Sequence, residues 1–380
     1  MTSFSTMAER NTFASAAFDY IRFIAAVAVM LGHGVSRFFG PFPDDPSASS
    51  AEILFHLFLS GYGSPAVMVF FVLSGFFIGQ SVIRQMFIGQ FHFRHYMTRR
   101  IVRLWIVLVP ALLITYLLDT LGMHFFSTDD IYQADSIFAS INPDNLTPGV
   151  FISNLFFLQT ITTGTLGSNE ALWSLSNEFW YYLLFPLIAV TFIGRRGLKV
   201  NILSFTFAAL ILLFVGRDIS TLFFVWLMGV GLLFRPSSPS FSRNHKVWLV
   251  LSFITFIASL FYVRVSGDIT DLNAERYIVG TTFTLFCFAL LNSSRQVRAD
   301  KAHIMRASRL ASFSYTLYLI HLPIIVIARA ALNDGDGYFI FGLQNVMIFA
   351  GVILGTMMMA YGVASLTEHH THKIYRRLGV

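Results

Sequence analysis

Apolar stretches of about 20 residues recur along the whole chain, and short polar segments separate them. A helix of that length crosses the roughly 30 Å hydrocarbon core of a bilayer. One further stretch, 150–161, is too short to cross the membrane and is predicted to be a re-entrant or interfacial helix. The pattern predicts an all-α polytopic membrane protein with about ten transmembrane helices, at residues 17–36, 62–83, 101–121, 174–194, 200–216, 219–234, 247–263, 277–292, 310–330 and 340–365.

The composition excludes a soluble enzyme. Of the 380 residues, 55% are hydrophobic and only 12% are charged, whereas a soluble domain carries about 25% charged residues. Too few charges remain to cover a surface that faces water. The one cysteine, Cys287, lies in an apolar run, so neither a disulfide framework nor a cysteine metal site is predicted.

Charged residues cluster in alternate loops, and this asymmetry predicts the orientation. If 150–161 does not cross the membrane, most of the 26 lysine and arginine residues fall on one side and most acids on the other. Because basic loops stay cytoplasmic, both termini are predicted to be cytoplasmic. The chain then divides into a cytoplasmic segment 1–16, a transmembrane domain 17–365 and a basic cytoplasmic tail 366–380. Orientation explains the net charge of +6, so the bilayer and not nucleic acid is the expected partner.

Four strongly polar side chains lie deep within predicted spans, away from the span ends: Arg22, His33, Glu178 and His321. Each such group costs roughly 2.5–3.5 kcal/mol on insertion scales, which favours a functional role. The alternative is a structural ion pair or a side chain that reaches the interface, and this alternative is strongest for Arg22. Helical rise puts both histidines and the glutamate in one layer of the membrane. Whether they also meet laterally stays open at this point.

Histidine suits proton transfer because its ordinary pKa lies near neutrality. A carboxylate within hydrogen-bond reach of an imidazole fixes its tautomer and raises its basicity. We therefore take His33 as the candidate base and Glu178 as its candidate orienting group.

A basic run opens the third predicted span. Arg100 and Arg103 are three residues apart and so share a helical face, where two planar guanidinium groups can bind phosphates in a bidentate manner. The alternative is that these arginines only anchor the helix at the cytoplasmic surface.

Five motifs occur in a fixed order over about residues 17–365. They are Arg22 and His33 with ten residues between them, Phe70-Phe-Val-Leu-Ser-Gly-Phe76, Arg100-x-x-Arg103, Trp173-Ser-Leu-Ser-Asn-Glu-Phe-Trp-Tyr-Tyr-Leu-Leu-Phe-Pro186, and Ser314-Tyr-Thr-Leu-Tyr-Leu-Ile-His321-Leu-Pro323. Together these motifs resemble the acyltransferase 3 family of polytopic membrane O-acyltransferases. In the fourth motif Asn177, Phe179 and Trp180 depart from the usual family pattern, which leaves Glu178 as its one carboxylate.

The resemblance implies transfer of an acyl group, commonly acetyl, from cytoplasmic acyl-CoA to a hydroxyl of a carbohydrate or glycan, in a bacterial inner membrane and without a metal. Arg100 and Arg103 would hold the phosphates of the donor, and Arg22 would line its channel. His33 would deprotonate the acceptor or carry the acyl group itself, with support from Glu178. Residues around the site or the substrate would be Trp173, Tyr182, Ser314, Tyr315 and His321. The acceptor and the oligomeric state stay open.

A proton-coupled transporter or flippase for a glycan or lipid-linked glycan is the main alternative, because buried Arg, His and Glu side chains also suit a carrier. The chain lacks the two matching halves typical of such carriers. A membrane scaffold without catalysis would leave the costly intramembrane charges unexplained. The polar segment Glu368–His372 could bind a metal weakly, but a solvated interfacial tail is the preferred interpretation.

Overall fold

The computed structural model describes residues 12–43, 47–127, 129–133, 141–193, 197–234, 244–266, 272–293, 300–333 and 337–379. Most of the predicted N-terminal segment 1–16 therefore lies outside the described residues. The same holds for many of the charges behind the predicted orientation: Arg10, Asp44, Asp45, Asp135, Arg195, Arg196, Arg235, Arg243, Asp268, Asp271, Arg295, Arg298, Asp334 and Asp336.

The described residues are almost entirely helical and contain no β-strand, which confirms the predicted all-α class. In chain order the helices are α1 (Phe13–Phe38), α2 (Ser50–Leu59), α3 (Gly63–Phe87), α4 (Phe93–Phe125), α5 (Pro148–Leu155), α6 (Trp173–Phe192), α7 (Leu198–Gly231), α8 (His245–Ser266), α9 (Leu272–Ser293), α10 (Lys301–Ala311), α11 (Ser314–Leu332), α12 (Leu343–Leu366) and α13 (Thr371–Leu378).

Eight helical stretches in the described part are long and apolar enough to cross a membrane. The chain is thus an integral membrane protein, while the number ten and the side of the termini stay predictions. Two predicted spans, 200–216 and 219–234, correspond to α7, which consists of two helices that meet at a kink, and to the short 3₁₀ turn Leu232–Phe234 after it. Gly216 interrupts that helix with φ 79° and ψ −177°, a conformation open to glycine because it lacks a Cβ.

The short predicted helix 150–161 is observed as α5. Thr147 caps its first turn by accepting a hydrogen bond from the Val150 N–H at 3.3 Å. Its eight residues rise about 12 Å, well short of the hydrocarbon thickness. Phe157 and Thr160 then adopt positive φ angles of 60° and 65°, so the helix cannot continue. Whether α5 is re-entrant or interfacial stays a prediction.

The described helices form two compact units. The first consists of Met1–Ala25, Ser64–Met97 and Asn177–Ala311, and the second of Ala26–Gly63, Thr98–Ser176 and Ser312–Val380. The predicted boundaries at residues 16 and 365 stay predictions.

In the first unit, α3 and α7 touch backbone to backbone. A Cβ on Gly75 would overlap the carbonyl oxygen of Trp226, and a Cβ on Gly229 would overlap that of Val72. Small residues permit such contact between membrane helices. Ser74 and Gly75 in the Phe70–Phe76 motif predict close packing of α3 against another helix, and the contact at Gly75 confirms this prediction.

In the second unit, a short segment after α4 is joined to the far end of α11. The fully buried guanidinium of Arg329 lies 2.7 Å from Asp130 and 3.1 Å from Asp129, and it also donates to the carbonyl oxygen of Gly337. Asp130 in turn accepts a hydrogen bond from the Gly337 N–H at 2.6 Å. An apolar cluster completes the contact, formed by Ile131, Tyr132, Ile141, Leu322, Val326 and Ala330.

Candidate active site

Two imidazole rings meet in the second unit. Nδ1 of His33, on α1, lies 2.8 Å from Nε2 of His321, on α11. The rings are nearly parallel, with 6° between their planes and 5.1 Å between their centroids. His321 is fully buried, whereas His33 remains partly exposed. The pair thus has one enclosed member and one that a substrate can approach.

The hydrogen bonds determine which nitrogen of each neutral ring carries the proton. Nδ1 of His321 lies 2.9 Å from the carbonyl oxygen of Tyr318 and 3.1 Å from that of Leu317. Carbonyl oxygens only accept, so this Nδ1 must be the protonated nitrogen. Nε2 of His321 is then an acceptor, and His33 donates to it from Nδ1. The lone pair of His33 is therefore on Nε2, which makes no hydrogen bond to any described residue.

The backbone around His321 is held by an amide from the loop before α6. Pro323 has no N–H, so it leaves the carbonyl oxygen of Leu319 without its helical donor. Nδ2 of Asn169 donates to that oxygen at 2.8 Å and to Oγ1 of Thr115, on α4, at 2.9 Å. The amide thereby ties α11 to α4 within two residues of His321.

A buried carboxylate holds the same loop. Asp119, also on α4, accepts from the N–H of Ser168 at 2.7 Å and from its hydroxyl at 2.8 Å. Gly167 adopts φ 53°, and a Cβ there would overlap the Asp119 carboxylate. Both Asp119 and Ser168 are fully buried. The loop is therefore locked in one conformation beside α11.

Arg103, one of the two predicted phosphate-binding arginines, is paired with Glu368. Its Nη2 lies 3.2 Å from Oε2 of that glutamate, and its guanidinium carbon lies 5.8 Å from the centre of the Tyr315 ring. Oε1 of Glu368 accepts from the N–H of Thr316 at 3.1 Å and from its hydroxyl at 2.7 Å. An acid is favourable there because Thr316 lies in the first turn of α11.

The preferred interpretation of Glu368–His372 as a solvated tail is wrong at its first residue. Glu368 is 7% exposed, and its carboxylate joins the start of α11 to Arg103 on α4. The residues next to Glu368 in the sequence do not indicate this contact, because Arg103 and Thr316 lie far from Glu368 along the chain. The tail is also tied by Tyr375, whose hydroxyl donates to the carbonyl oxygen of Arg99 at 3.0 Å and whose ring lies 5.1 Å from that guanidinium.

Glu178 lies in the first unit, where three helices contribute to its surroundings. Its Oε1 accepts from the hydroxyl of Ser74 on α3 at 3.0 Å and from the hydroxyl of Tyr182 on α6. Nε1 of Trp226, on α7, donates to the Ser74 oxygen at 3.2 Å. Oε2 of Glu178 makes no hydrogen bond to another described residue. The carboxylate is thus fixed through one oxygen and leaves the other available.

The remaining predicted residues have less distinctive surroundings. Arg22 lies on α1 in the first unit, one turn after Asp19. Arg100 lies on α4 one turn before Arg103. Trp173 and Ser314 are the first residues of α6 and α11. Roles for these residues stay predictions.

A family model described as an acyltransferase domain matches residues 15–364. The chain belongs to the acyltransferase 3 family. It is therefore a membrane acyltransferase, and the resemblance of the five motifs is confirmed.

Two relatives accompany the family match. An O-acetyl transferase of Shigella phage Sf6 is 24% identical over 328 residues, which cover 84% of this chain and 87% of the relative. The O-acetyltransferase OatA of Staphylococcus aureus (strain NCTC 8325 / PS 47) is 27% identical over 339 residues, or 81% of this chain and 53% of OatA. The acyltransferase thus spans about half the length of OatA. No solved structure matches it.

In this acyltransferase, three pairs of predicted site residues are in contact. Tyr182 binds Glu178, and Tyr315 packs against Arg103. Nδ1 of His33, however, is supported by His321, which the sequence had suggested only as a surrounding residue. Nδ1 of His33 thus has its partner in His321, and the prediction that Glu178 orients His33 stays a prediction.

Sequence reasoning missed Asn169, Asp119 and Glu368 in the acyltransferase. One signal was available for Asn169: a proline inside a buried helix leaves a carbonyl oxygen that needs another donor. This signal does not identify the amide that supplies the donor, because Asn169 and Leu319 are 150 residues apart.

Proposed function

We propose that this acyltransferase moves an acetyl group from acyl-CoA to a hydroxyl of a carbohydrate acceptor, with Nε2 of His33 as the general base. The observation that carries this proposal is the His33–His321 hydrogen bond, which leaves the lone pair on the accessible nitrogen. A base must carry its lone pair where the substrate proton arrives. The names of both relatives support an O-linked acetyl product.

In the direct reaction, Nε2 of His33 takes the proton of the acceptor hydroxyl while the hydroxyl oxygen attacks the thioester carbonyl carbon. A C–O bond forms and the C–S bond breaks. The thiolate of coenzyme A leaves and takes the proton back from His33, so the imidazole returns to its starting tautomer. His321 holds the ring by accepting from Nδ1 throughout.

A two-step reaction uses the same nitrogen as the nucleophile. Nε2 then attacks the thioester carbon and carries the acyl group until the acceptor hydroxyl displaces it. Trapping with radiolabelled acetyl-CoA in the absence of acceptor distinguishes the routes, because only the two-step route leaves label on the protein.

The arginines of α4 support binding of the donor. Arg103 is held by Glu368 and packs on Tyr315, yet a third of its side chain remains exposed, so its other N–H groups can meet a phosphate. We assign Arg100 to the same phosphates and Arg22 to the donor channel. We place the protein in the inner membrane of a bacterium, where acyl-CoA binds from the cytoplasmic side. Glu178 is assigned a catalytic supporting role, since its Oε2 can accept a hydrogen bond from a substrate hydroxyl.

The test is mass spectrometry of surface glycans from bacteria that express the parental protein or a variant. We expect O-acetyl groups with the parental chain and none with His33→Ala at equal membrane abundance. His124→Ala is the matched control, because His124 is an exposed histidine at the end of α4. Parental levels of acetylation with His33→Ala would refute the assignment of the base. Glycan uptake into vesicles without any acyl donor would favour a carrier instead.

A further inference from the structure

A cavity of about 630 Å³ opens in the first unit. It lies between the beginning of α1, the beginning of α8, the end of α9 and the beginning of α10. Its walls are hydrocarbon and aromatic, with Phe13 and Ala17 on one side and Leu249, Phe253 and Phe286 on the other. Its volume is in the range of pockets that bind small molecules.

The position of the cavity favours a lipid over water. Three of the helices that line it, α1, α8 and α9, are among the stretches able to cross a membrane. The residues that line the cavity are apolar except for Tyr20, Asp300 and His303, whereas an ordered water needs two to four polar partners. A hydrocarbon chain has no such requirement and is present at high concentration in the bilayer.

The charged groups of the cavity lie together at one end. Asp300 and His303 line it where α10 begins, and Lys301 lies between them in the chain. On α8, Lys246 precedes Leu249 by three residues and so shares its face one turn nearer the helix start. All four of these polar side chains are exposed. The rim thus carries both signs of charge, with bases in excess.

Helix α10 has the character of an interfacial helix. It buries Ala307 and Ala311, while Lys301 and Arg306 are exposed. A short basic amphipathic helix lies in the plane of the head groups with its apolar face toward the protein or the acyl chains. The rim of the cavity is therefore at head-group depth, and its apolar part extends toward the acyl chains.

We propose that this cavity binds a phospholipid with a protonated primary amine, as in phosphatidylethanolamine. One acyl chain occupies the apolar walls, and the phosphate lies near Lys246, Lys301 and His303. The ammonium group lies at Asp300, which is the acid of the rim and can accept its N–H hydrogen bonds. Phosphatidylglycerol has neutral hydroxyl groups in place of the ammonium group, so Asp300 meets no positive charge and this lipid binds less well.

The test is native mass spectrometry of the full chain, purified in detergent and titrated with phosphatidylethanolamine or phosphatidylglycerol. We expect one retained phosphatidylethanolamine on the parental chain. Ala17→Phe fills the cavity and is expected to lose this lipid. Ala350→Phe is the matched control, because it adds the same ring to an exposed position of α12, and it keeps the lipid. If Ala17→Phe does not fold, Ala17→Leu makes a smaller change in the same wall.

Two rim variants test the head group. Asp300→Asn is expected to reduce the preference for phosphatidylethanolamine about fivefold, and Lys246→Ala with Lys301→Ala to weaken both lipids about thirtyfold, since each charge near the surface contributes a factor of about five. The proposal is overturned if Ala17→Phe retains as much lipid as the control. It is also overturned if Asp300→Asn leaves the preference unchanged.

Discussion

Replacing His321 by leucine tests the central contact of the site. In the parental chain, Nε2 of His321 accepts a hydrogen bond from Nδ1 of His33 at 2.8 Å. Leucine cannot accept it, so the imidazole of His33 loses the group that fixes both its orientation and its tautomer. The variant keeps the His33 side chain and the arginines that we assign to the donor.

The size of the effect follows from the loss of that one acceptor. A buried donor left without its partner costs about 1–3 kcal/mol. If this free energy is lost from the reactive arrangement of His33, kcat falls about 5- to 150-fold, because 1.36 kcal/mol corresponds to a factor of ten. KM for acyl-CoA should stay within about twofold, since His321 contacts His33 and not the α4 arginines.

The assay is release of the coenzyme A thiol with purified protein in proteoliposomes. We expect His321→Gln to recover part of the rate, because its amide oxygen can accept from Nδ1 of His33. In the double variant with His33→Ala, His321→Leu should cause no further loss, since His321 acts through His33. His56→Leu, at a second fully buried histidine, controls for lost packing.

Two results would refute this reasoning. Parental kcat in His321→Leu would show that the hydrogen bond does not matter for the base. A loss in the double variant that multiplies the two single losses would show that His321 acts independently of His33.

Other contacts give further predictions. Glu368→Gln should raise KM for acyl-CoA about fivefold with little change in kcat, because Arg103 loses the charge that positions it; a changed kcat at constant KM would contradict this role. Asn169→Leu should cost about 2 kcal/mol and lower the thermal midpoint, since two acceptors lose their donor, and calorimetry measures the shift. Although burial raises the pKa of Asp130, the hydrogen bond and charge of Arg329 outweigh it and hold that pKa below its usual range. The stability from this contact should be present above about pH 4 and should fall as the pH drops below that value. In Asp130→Asn, the thermal midpoint should therefore change less with pH between pH 5 and pH 3.

Several features followed from the sequence because they depend on neighbouring residues. The apolar stretches predicted helices that the structure contains, since hydrocarbon forces each segment to satisfy its own backbone hydrogen bonds. The Phe70–Phe76 motif predicted close packing because Gly75 has no side chain to keep another helix away. The five ordered motifs were enough to indicate the family that residues 15–364 match.

The partners of the charged and titratable side chains depended on the tertiary structure. Helical rise put His33 and His321 at a similar depth, but depth leaves the lateral position open, and the two residues are 288 positions apart. In the same way, the sequence around Glu368 predicts a solvated tail, whereas the structure buries this carboxylate against Thr316. The sequence by itself determined the helices and the kind of chemistry, because these depend on local hydrophobicity and residue type. Only the packed helices decided which nitrogen of His33 carries the lone pair, since a hydrogen bond needs two groups within about 3 Å.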